Sequence, residues 1–183
     1  MQNKVIYESV LGKDLHITIR YPNINDAKIM CDYINTLSKE KTFITYQGEE
    51  IKLKSEVEYL KSQLKRIDNH ESVQLLLFVN EKLSGISSID LKRRVEEHVG
   101  VLGISLIDIY RGKGLGTILM QTILEEAKKN LPKLRLVILE VMSINLRGIG
   151  LYKKFGFKEY ANLPEGNKYK GQYVDVLSMY KKL

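Results

Sequence analysis

The residues with the clearest chemical potential form a glycine-rich turn, Arg111-Gly-Lys-Gly-Leu-Gly116, between an apolar strand and an amphipathic run that ends at Asn130. Its glycines fall at the start of a predicted helix, where the first backbone N–H groups have no intrahelical partner. The helix macrodipole places partial positive charge at the same end, and the missing side chains let a ligand come close. The turn is therefore predicted to bind an anion of the pyrophosphate type.

Two familiar phosphate-binding loops do not fit this spacing. A P-loop requires an earlier glycine and a following Ser or Thr, and neither accompanies Gly112-Lys113. The dinucleotide fingerprint Gly-x-Gly-x-x-Gly fails because the spacing here is Gly-x-Gly-x-Gly. The pattern that remains is Arg-x-x-Gly-x-Gly, from Arg111 to Gly116. A strand-to-helix turn without a ligand is the alternative interpretation.

Periodicity predicts the elements that precede this turn. Residues 15–21 alternate with period two and stop at Pro22, which predicts the first strand. Cap residues at 23–26 and the capping-box pattern Ser55-Glu-Val-Glu58 predict the starts of two helices. The aromatic loop between them, 41–54, either forms a wall of a substrate pocket or packs over the core.

A predicted hairpin, 73–79 and 83–91, leads into a third strand, 98–106. Gly100 and Gly103 inside that strand indicate a bulge or the close approach of a ligand. The remaining predicted elements are a helix at 115–130, a strand at 134–141, a helix from 145, a short strand at 157–160, a polar loop at 162–170 and a strand at 173–180.

The second informative stretch, Leu139 to Phe157, contains Leu-Glu-Val, then an Asn, Leu-Tyr, a basic residue and Gly-Phe. Together with Arg-x-x-Gly-x-Gly, which is similar to motif A, this stretch resembles the GNAT acetyltransferase superfamily. The sequence departs from the family pattern at Gly148, where Ala is usual. With Gly150, the substitution is expected to destabilise the helix by ~1 kcal/mol per glycine.

The resemblance implies an α+β fold, an α/β/α sandwich whose central mixed, mainly antiparallel twisted sheet is flanked by helices. The predicted order is β-α-α-β-β-β-α-β-α-β-β. No repeat, low-complexity tract or linker divides the chain, so residues 1–183 are predicted to form a single N-acetyltransferase domain.

The resemblance also implies acetyl-coenzyme A as co-substrate, with no metal. Backbone groups of Ile104, Ser105 and Leu106 would pair with the pantetheine arm. Asn145 would hydrogen-bond the amide region of the co-substrate; simple capping of the helix is its alternative role, and both can hold. The residues implied for the pyrophosphate and the charge around it are Arg111, Gly112, Lys113, Gly114, Leu115, Gly116 and Thr117.

Three residues are implied for catalysis. Tyr152 matches the tyrosine that protonates the departing thiolate, although a phenol with a reference pKa of ~10 is a weaker acid than a thiol at ~8.5, so water is a second route for the proton. Glu140 is the preferred general base, and Glu97, at the start of the glycine-bearing strand, is the second candidate. The alternatives are a buried aromatic for Tyr152 and a carboxylate paired with Lys or Arg for Glu140.

Composition narrows the partners and the compartment. The net charge of +7 would suit nucleic acid, but the basic residues are mixed with acidic ones, which favours a solvated surface that attracts a polyanionic co-substrate. Cys31 is the only cysteine, and three histidines give no cluster with metal-ligand spacing. The absence of a long apolar stretch and of a signal-peptide layout predicts a cytoplasmic protein without nucleic-acid or membrane partners.

The sequence leaves the acceptor open. The preferred reading is an N-acetyltransferase that acts by direct attack of a primary amine, and the closing strand, 171–179, resembles branches that acetylate small amines, amino acids or polyamines. The Leu-Glu-Val context of Glu140 instead favours the amine of a protein N-terminus as the acceptor. A catalytically silent acyl-coenzyme A-binding module is the alternative from another class. The oligomeric state is not decided, and a homodimer is compatible with the sequence.

Overall fold

The computed structural model of the protein describes residues 1–12 and 14–183. Within those residues, eight strands form one sheet with the order β1-β2-β3-β4-β5-β6-β8-β7, and every neighbouring pair is antiparallel except β5 and β6. The elements are β1 Val5–Leu11, β2 Leu15–Arg20, α1 Ala27–Glu40, α2 Leu53–Asp68, β3 Ser72–Val79, β4 Lys82–Leu91, β5 Val99–Leu106, α3 Leu115–Asn130, β6 Leu136–Met142, α4 Leu146–Lys154, β7 Lys158–Tyr169 and β8 Gln172–Lys182.

Helices cover both faces of the sheet, as the predicted α/β/α sandwich requires. Gln63 of α2 donates to Ser72 Oγ at 2.7 Å, and Tyr33 of α1 bonds Ser105 Oγ at 2.9 Å, which places α1 and α2 on one face. α3 lies on the opposite face, where a Cβ built on Gly85 would stand 3.3 Å from Leu119 Cδ2.

The core lies between these layers. Every side chain of β3 is buried, so this strand runs through the middle of the molecule, as its almost continuous apolar sequence indicates. α3 has the predicted bounds, and its inward positions Leu115, Leu119, Ile123 and Ala127 are fully buried. The predicted hairpin of β3 and β4 is also confirmed.

A buried polar cluster ties the chain after β2 to the C-terminal part of α3. The Tyr21 hydroxyl donates to Glu126 Oε2 at 2.9 Å, and Asn130 Nδ2 donates to the same oxygen at 3.0 Å. Because each member has a partner, the cluster fixes how the strand and the helix meet without leaving a buried polar group unsatisfied.

The predicted element order is wrong at the N-terminus, where β1 precedes the strand expected to be first. β1 is an edge strand, and none of its side chains is fully buried. A strand in this position does not need the clean period-two alternation by which buried strands are recognised, so the sequence pattern did not reveal it.

Two local predictions also need correction. α2 begins at Leu53 with Lys52 at the N-cap, so Ser55 lies inside the first turn and the predicted capping box does not form. The predicted polar loop 162–170 belongs instead to β7, a long edge strand whose pairing with β8 is interrupted between Leu163 and Asn167. That irregularity accommodates Pro164, which could not donate a ladder hydrogen bond in a regular central strand. The predicted cap at 23–26 forms through Asn23 and Asp26, but on the 3-10 turn Ile24–Asp26 that leads into α1, whose own N-cap, Asp26, makes no side-chain cap bond.

None of the helices in residues 1–12 and 14–183 is both long enough and apolar enough to cross a lipid bilayer.

Candidate active site

The site is built where two neighbouring parallel strands separate. β5 and β6 pair only from Val99–Val101 to Leu136–Ile138. Beyond that point Ile104–Leu106 pair with β4 on one side, whereas the end of β6 pairs with β8. The facing edges of β5 and β6 are therefore open, and their backbone N–H and C=O groups are available to a ligand.

Two cavities open at this separation. The larger cavity measures about 760 Å³, and all residues predicted for co-substrate binding line it except Lys113 and Leu115. The smaller cavity measures about 510 Å³ and contains Glu140. The residues that line both cavities are Phe43, Ile44, Ile104, Ser105, Asn145 and Tyr152. Molecules that occupied the two cavities would therefore meet beside these six residues.

The glycine-rich turn forms one end of the larger cavity. Gly112 and Gly114 have φ angles of 77° and 84°, a left-handed conformation that glycine adopts without steric cost. The first helical bonds run from the N–H groups of Thr117 and Ile118 to Gly114 O, so the N–H groups of 114–116 precede the first helical donor. A Cβ on Gly112 or Gly114 would meet nothing within 4 Å. The turn thus presents unbonded N–H groups beside open space, as an anion site requires.

The side chains of Arg111 and Lys113, predicted to add positive charge near the pyrophosphate, make contacts within the protein. Arg111 lines the larger cavity, but its guanidinium bonds Glu40 at 2.6 Å and Asp108 at 3.0 Å, and its Nε donates to Leu106 O at 2.9 Å. It therefore pins the turn to α1 and to the end of β5 rather than presenting an uncompensated charge. Lys113 lies over the Tyr110 ring, with Nζ 5.5 Å from the centroid, and does not line the cavity. The buried Leu115 side chain anchors the turn in the core.

Asn145 caps α4 and borders both cavities. Its Oδ1 accepts the Gly148 N–H at 3.0 Å, which confirms the capping role, and its Nδ2 makes no hydrogen bond within the described part of the chain. A Cβ on Gly148 would stand only 2.7 Å from Asn145 Nδ2. The glycine that replaces the usual alanine therefore leaves room for the Asn145 side chain to fold back over the helix.

Tyr152 lines both cavities where they meet. The residue is only 9% exposed, and its ring packs edge-on against Phe157 with centroids 6.0 Å apart. Desolvation by burial raises the pKa of Tyr152 to about 12. The hydroxyl therefore stays protonated throughout the physiological range and can act as a hydrogen-bond donor.

The structure places only one of the two candidate bases, Glu140, at a cavity. Glu140 is exposed at the open edge of β6 and lines the smaller cavity. No Lys or Arg forms an ion pair with it in residues 1–12 and 14–183, so the structural pairing considered for this residue is not found. Glu97 lines neither cavity; it bonds Lys133 at 2.7 Å and precedes Ser105 by eight residues, ~26 Å along an extended strand. The structure does not bring Glu97 to the site.

Of the two glycines of β5, only Gly103 lines a cavity. A Cβ on Gly100 would clash with Ile89 and Leu134, at 2.6 and 2.8 Å, so this glycine serves close packing of the core and not a ligand. Gly103 lines the smaller cavity, and its missing side chain leaves space beside Ser88.

Several residues of the smaller cavity were not predicted from the sequence. Gln74 of β3 is 2% exposed; its Nε2 donates to the Tyr59 hydroxyl at 3.0 Å, while its Oε1 has no partner in the described residues. A glutamine inside the apolar run Val73–Val79 was the available signal. Phe43 of the loop between α1 and α2 stacks on Tyr169 of β7 with centroids 5.2 Å apart, so this loop does form a wall of both cavities.

No group of three or more His, Cys, Asp or Glu side chains with a geometry suited to a metal ion occurs in residues 1–12 and 14–183. The groups that could hold a ligand are instead hydrogen-bond donors and acceptors: the N–H groups of the turn, the open edge of β5 and the amide of Asn145.

Comparison with known proteins identifies the family. The sequence model of the acetyltransferase (GNAT) family matches residues 35–157. An L-methionine sulfoximine/L-methionine sulfone acetyltransferase from Pseudomonas paraeruginosa is 32% identical over 72 residues, which are 39% of this chain and 41% of that protein. The match thus spans less than half the length of this curated relative.

Two solved structures extend the likeness to the whole fold. An acetyltransferase of the GNAT family from Streptococcus pneumoniae superposes with a TM-score of 0.84 at 28% identity, over 91% of this chain and 99% of that chain. The yncA protein of Salmonella typhimurium, solved with its cofactor acetyl-CoA, shares the fold with a TM-score of 0.78 at 18% identity, over 91% of this chain and 94% of that chain. The chain therefore belongs to the acetyltransferase (GNAT) family.

Proposed function

We propose that the protein transfers the acetyl group of acetyl-coenzyme A to the primary amine of a small molecule, such as a simple amine, an amino acid or a polyamine. The observation that carries this proposal is the meeting of two cavities at Ser105, Asn145 and Tyr152. Co-substrate and acceptor would meet there, and the acceptor amine would attack the acetyl carbonyl directly. No covalent enzyme intermediate is needed, because the co-substrate already carries an activated acyl group and the protein has only to align the reactants and manage the protons.

The larger cavity supplies groups that match the co-substrate along its length. The open edge of Ile104–Leu106 can pair with the amides of the pantetheine arm, as an added strand would. The N–H groups of 114–116 can bind the pyrophosphate. Asn145 Nδ2, which capping leaves unused, can donate to a carbonyl of the arm.

The glycine-rich turn gives a test of this binding mode. Gly114→Ala should raise the KM of acetyl-coenzyme A about tenfold, equivalent to ~1.4 kcal/mol, with a smaller change in kcat. The reason is that a Cβ strains the left-handed turn, where φ is 84°, and enters the open space that the pyrophosphate would fill. Steady-state kinetics with varied acetyl-coenzyme A measures the effect.

The β7–β8 turn offers a matched control. Gly171 has a φ of 82° and, like Gly114, nothing within 4 Å of its built Cβ. Gly171→Ala should cost similar stability in thermal unfolding but leave the KM unchanged. Equal KM values for the two variants would contradict pyrophosphate binding at the turn.

Two residues at the junction suit the proton transfers. We assign Glu140 as the general base, directly or through water, because its carboxylate lines the smaller cavity without an ion-pair partner in the described residues. We assign Tyr152 as the donor to the departing thiolate. Its raised pKa supports a hydrogen bond to the sulfur, with water as the source of the proton itself.

The smaller cavity supports a small polar acceptor. Its volume of about 510 Å³ is within the range of small-molecule sites. The buried Gln74 Oε1 has no partner among the described residues, and such a group costs ~1–3 kcal/mol unless it is satisfied. An acceptor that carries a second donor, besides its reacting amine, would recover that cost. The partly matching Pseudomonas relative is named for amino-acid-sized acceptors, which supports the same class.

Thiol release from acetyl-coenzyme A, measured with a panel of acceptors, tests the function. We expect release with small amines, amino acids or polyamines at kcat/KM values at least tenfold above those of short peptides with free N-termini. Higher values for the peptides would favour the N-terminal acetyltransferase alternative. Tight co-substrate binding in calorimetry with no release from any acceptor would favour the silent binding module.

Further sequence-based expectations stay predictions: a single domain over residues 1–183, a cytoplasmic location, and the absence of nucleic-acid and membrane partners. The proposed site draws all its residues from one chain, so it is compatible with either a monomer or a homodimer.

A further inference from the structure

A hydroxyl pair behind the junction has no role in the chemistry described so far. Tyr33 of α1 is 4% exposed, and its hydroxyl lies 2.9 Å from Ser105 Oγ. Ser105 is partly exposed and borders both cavities. The pair therefore links a buried phenol to the place where the two substrates would meet.

Counting protons favours one direction for this hydrogen bond, although either hydroxyl could donate by geometry alone. The two hydroxyls carry two protons, but only one of them lies between the oxygens. If Ser105 donated to Tyr33, the phenol proton would be buried, and Tyr33 has no other acceptor within the described residues. Such an unsatisfied donor is costly. The cost of a buried unpaired phenol proton favours Tyr33 as the donor to Ser105, and in that arrangement the Ser105 proton is directed away from Tyr33.

Ser105 lines both cavities, so open space lies beside it at their junction. Ile86 of β4 is its neighbour on one side, and the edge toward β6 is open. Burial raises the pKa of Tyr33, so the phenol remains protonated and keeps its donor role. With Tyr33 as its donor, the Ser105 hydroxyl keeps its own proton available to a ligand at the junction.

We propose that the Ser105 hydroxyl donates a hydrogen bond to the acetyl carbonyl oxygen as that oxygen gains negative charge during amine attack, and that Tyr33 is the residue that positions it. The inference rests on the proposed function. A preorganised donor at a developing oxyanion stabilises the transition state more than the ground state, because the charge that it meets forms only during the reaction. No bond to Ser105 forms or breaks.

Kinetics of three variants test the assignment. Ser105→Ala should lower kcat about 100-fold while the KM values of both substrates change less than threefold, because one oxyanion donor contributes ~10²–10³ in kcat. Tyr33→Phe should lower kcat about tenfold. The double variant should resemble Ser105→Ala alone, because Tyr33 acts only through Ser105.

Tyr21→Phe is the matched control. It also removes a buried phenol that donates a hydrogen bond, to Glu126, but lies outside both cavities. Its kcat should stay within twofold of the wild type. Near-normal kcat in Ser105→Ala, a change confined to KM, or multiplicative effects of Tyr33→Phe and Ser105→Ala would overturn the proposal.

A spectroscopic readout does not depend on turnover. With acetyl-coenzyme A labelled with ¹³C at the carbonyl, the infrared carbonyl stretch of the bound molecule should lie at lower frequency in the wild type than in Ser105→Ala. An identical frequency in both proteins contradicts the Ser105 hydrogen bond. If the frequencies differ but no acceptor is acetylated by the wild type, the hydrogen bond stands and the proposed transferase reaction fails.

Discussion

Replacement of Tyr152 by Phe is expected to lower kcat about 100-fold and to change the KM of acetyl-coenzyme A less than threefold. The ring would keep its edge-on contact with Phe157, and the lost hydroxyl has no hydrogen-bond partner in the described residues, so no buried group is left unpaired. The loss would correspond to ~2.7 kcal/mol, the size of a hydrogen bond to a charged group. Single-turnover and steady-state thiol release measure it.

The raised pKa of Tyr152 makes this prediction depend on pH in a definite direction. A tyrosine whose pKa is raised to about 12 keeps its proton below that pH and loses it only as the pH rises through about 12. Ionisation of Tyr152 should therefore cause no decline in the wild-type kcat between pH 7 and pH 10. A decline in the wild type that is absent in Tyr152→Phe would contradict this expectation. Such a decline would mean that the Tyr152 phenol ionises at a far lower pH and is a direct proton source.

Tyr160→Phe is the control for Tyr152→Phe. Tyr160 lies on β7, is 56% exposed, packs edge-on against Tyr180 and lines neither cavity. This variant should retain wild-type kcat, and both variants should unfold at similar temperatures. If Tyr152→Phe kept more than a third of the wild-type kcat, Tyr152 would be a packing residue and not the donor to the thiolate.

The parts of the molecule that follow strict local rules could be predicted from the sequence. α3 was predicted with its observed bounds because glycines precede it, its apolar positions recur at helical spacing and Pro132 stops the chain beyond it. The glycine turn was predicted to bind an anion for a similar reason: the chemistry of that prediction resides in consecutive backbone groups. The capping of α4 by Asn145 could also be predicted, because it depends on residues that are adjacent in sequence.

Other features depend on neighbours that are distant in sequence. The edge strands β1 and β7 are defined by pairing and not by a buried face, so their side chains carry little periodic signal. Tyr33 reaches Ser105 only because α1 packs on that face of the sheet, 72 residues away along the chain. Glu97 was the second candidate base because of its position at the start of the glycine-bearing strand, but the strand pairing puts it at the closed end of β5, beside Lys133.

The replacement Glu140→Gln tests the general base and can also identify the acceptor. Glutamine keeps the size of the side chain but cannot accept the amine proton, so kcat/KM for the acceptor should fall about 100-fold at pH 7. The deficit should shrink as the pH rises, because a larger fraction of the amine is already neutral before it binds. Glu97→Gln, which changes a carboxylate outside both cavities, should stay within twofold of the wild type.

The pH at which the kcat/KM values of Glu140→Gln and the wild type converge depends on the pKa of the acceptor amine and not on the protein. An α-amine with a reference pKa of ~7.7–8.0 is mostly neutral above about pH 8, whereas a lysine-like amine at ~10.4 needs a base to deprotonate it before attack until about pH 10. The proton that either amine loses after attack can pass to water. A deficit that is constant from pH 6 to pH 10 would show that Glu140 contributes binding and not proton transfer. A deficit in Glu97→Gln instead would mean that the base acts from outside the smaller cavity, and the assignment of Glu140 would be wrong.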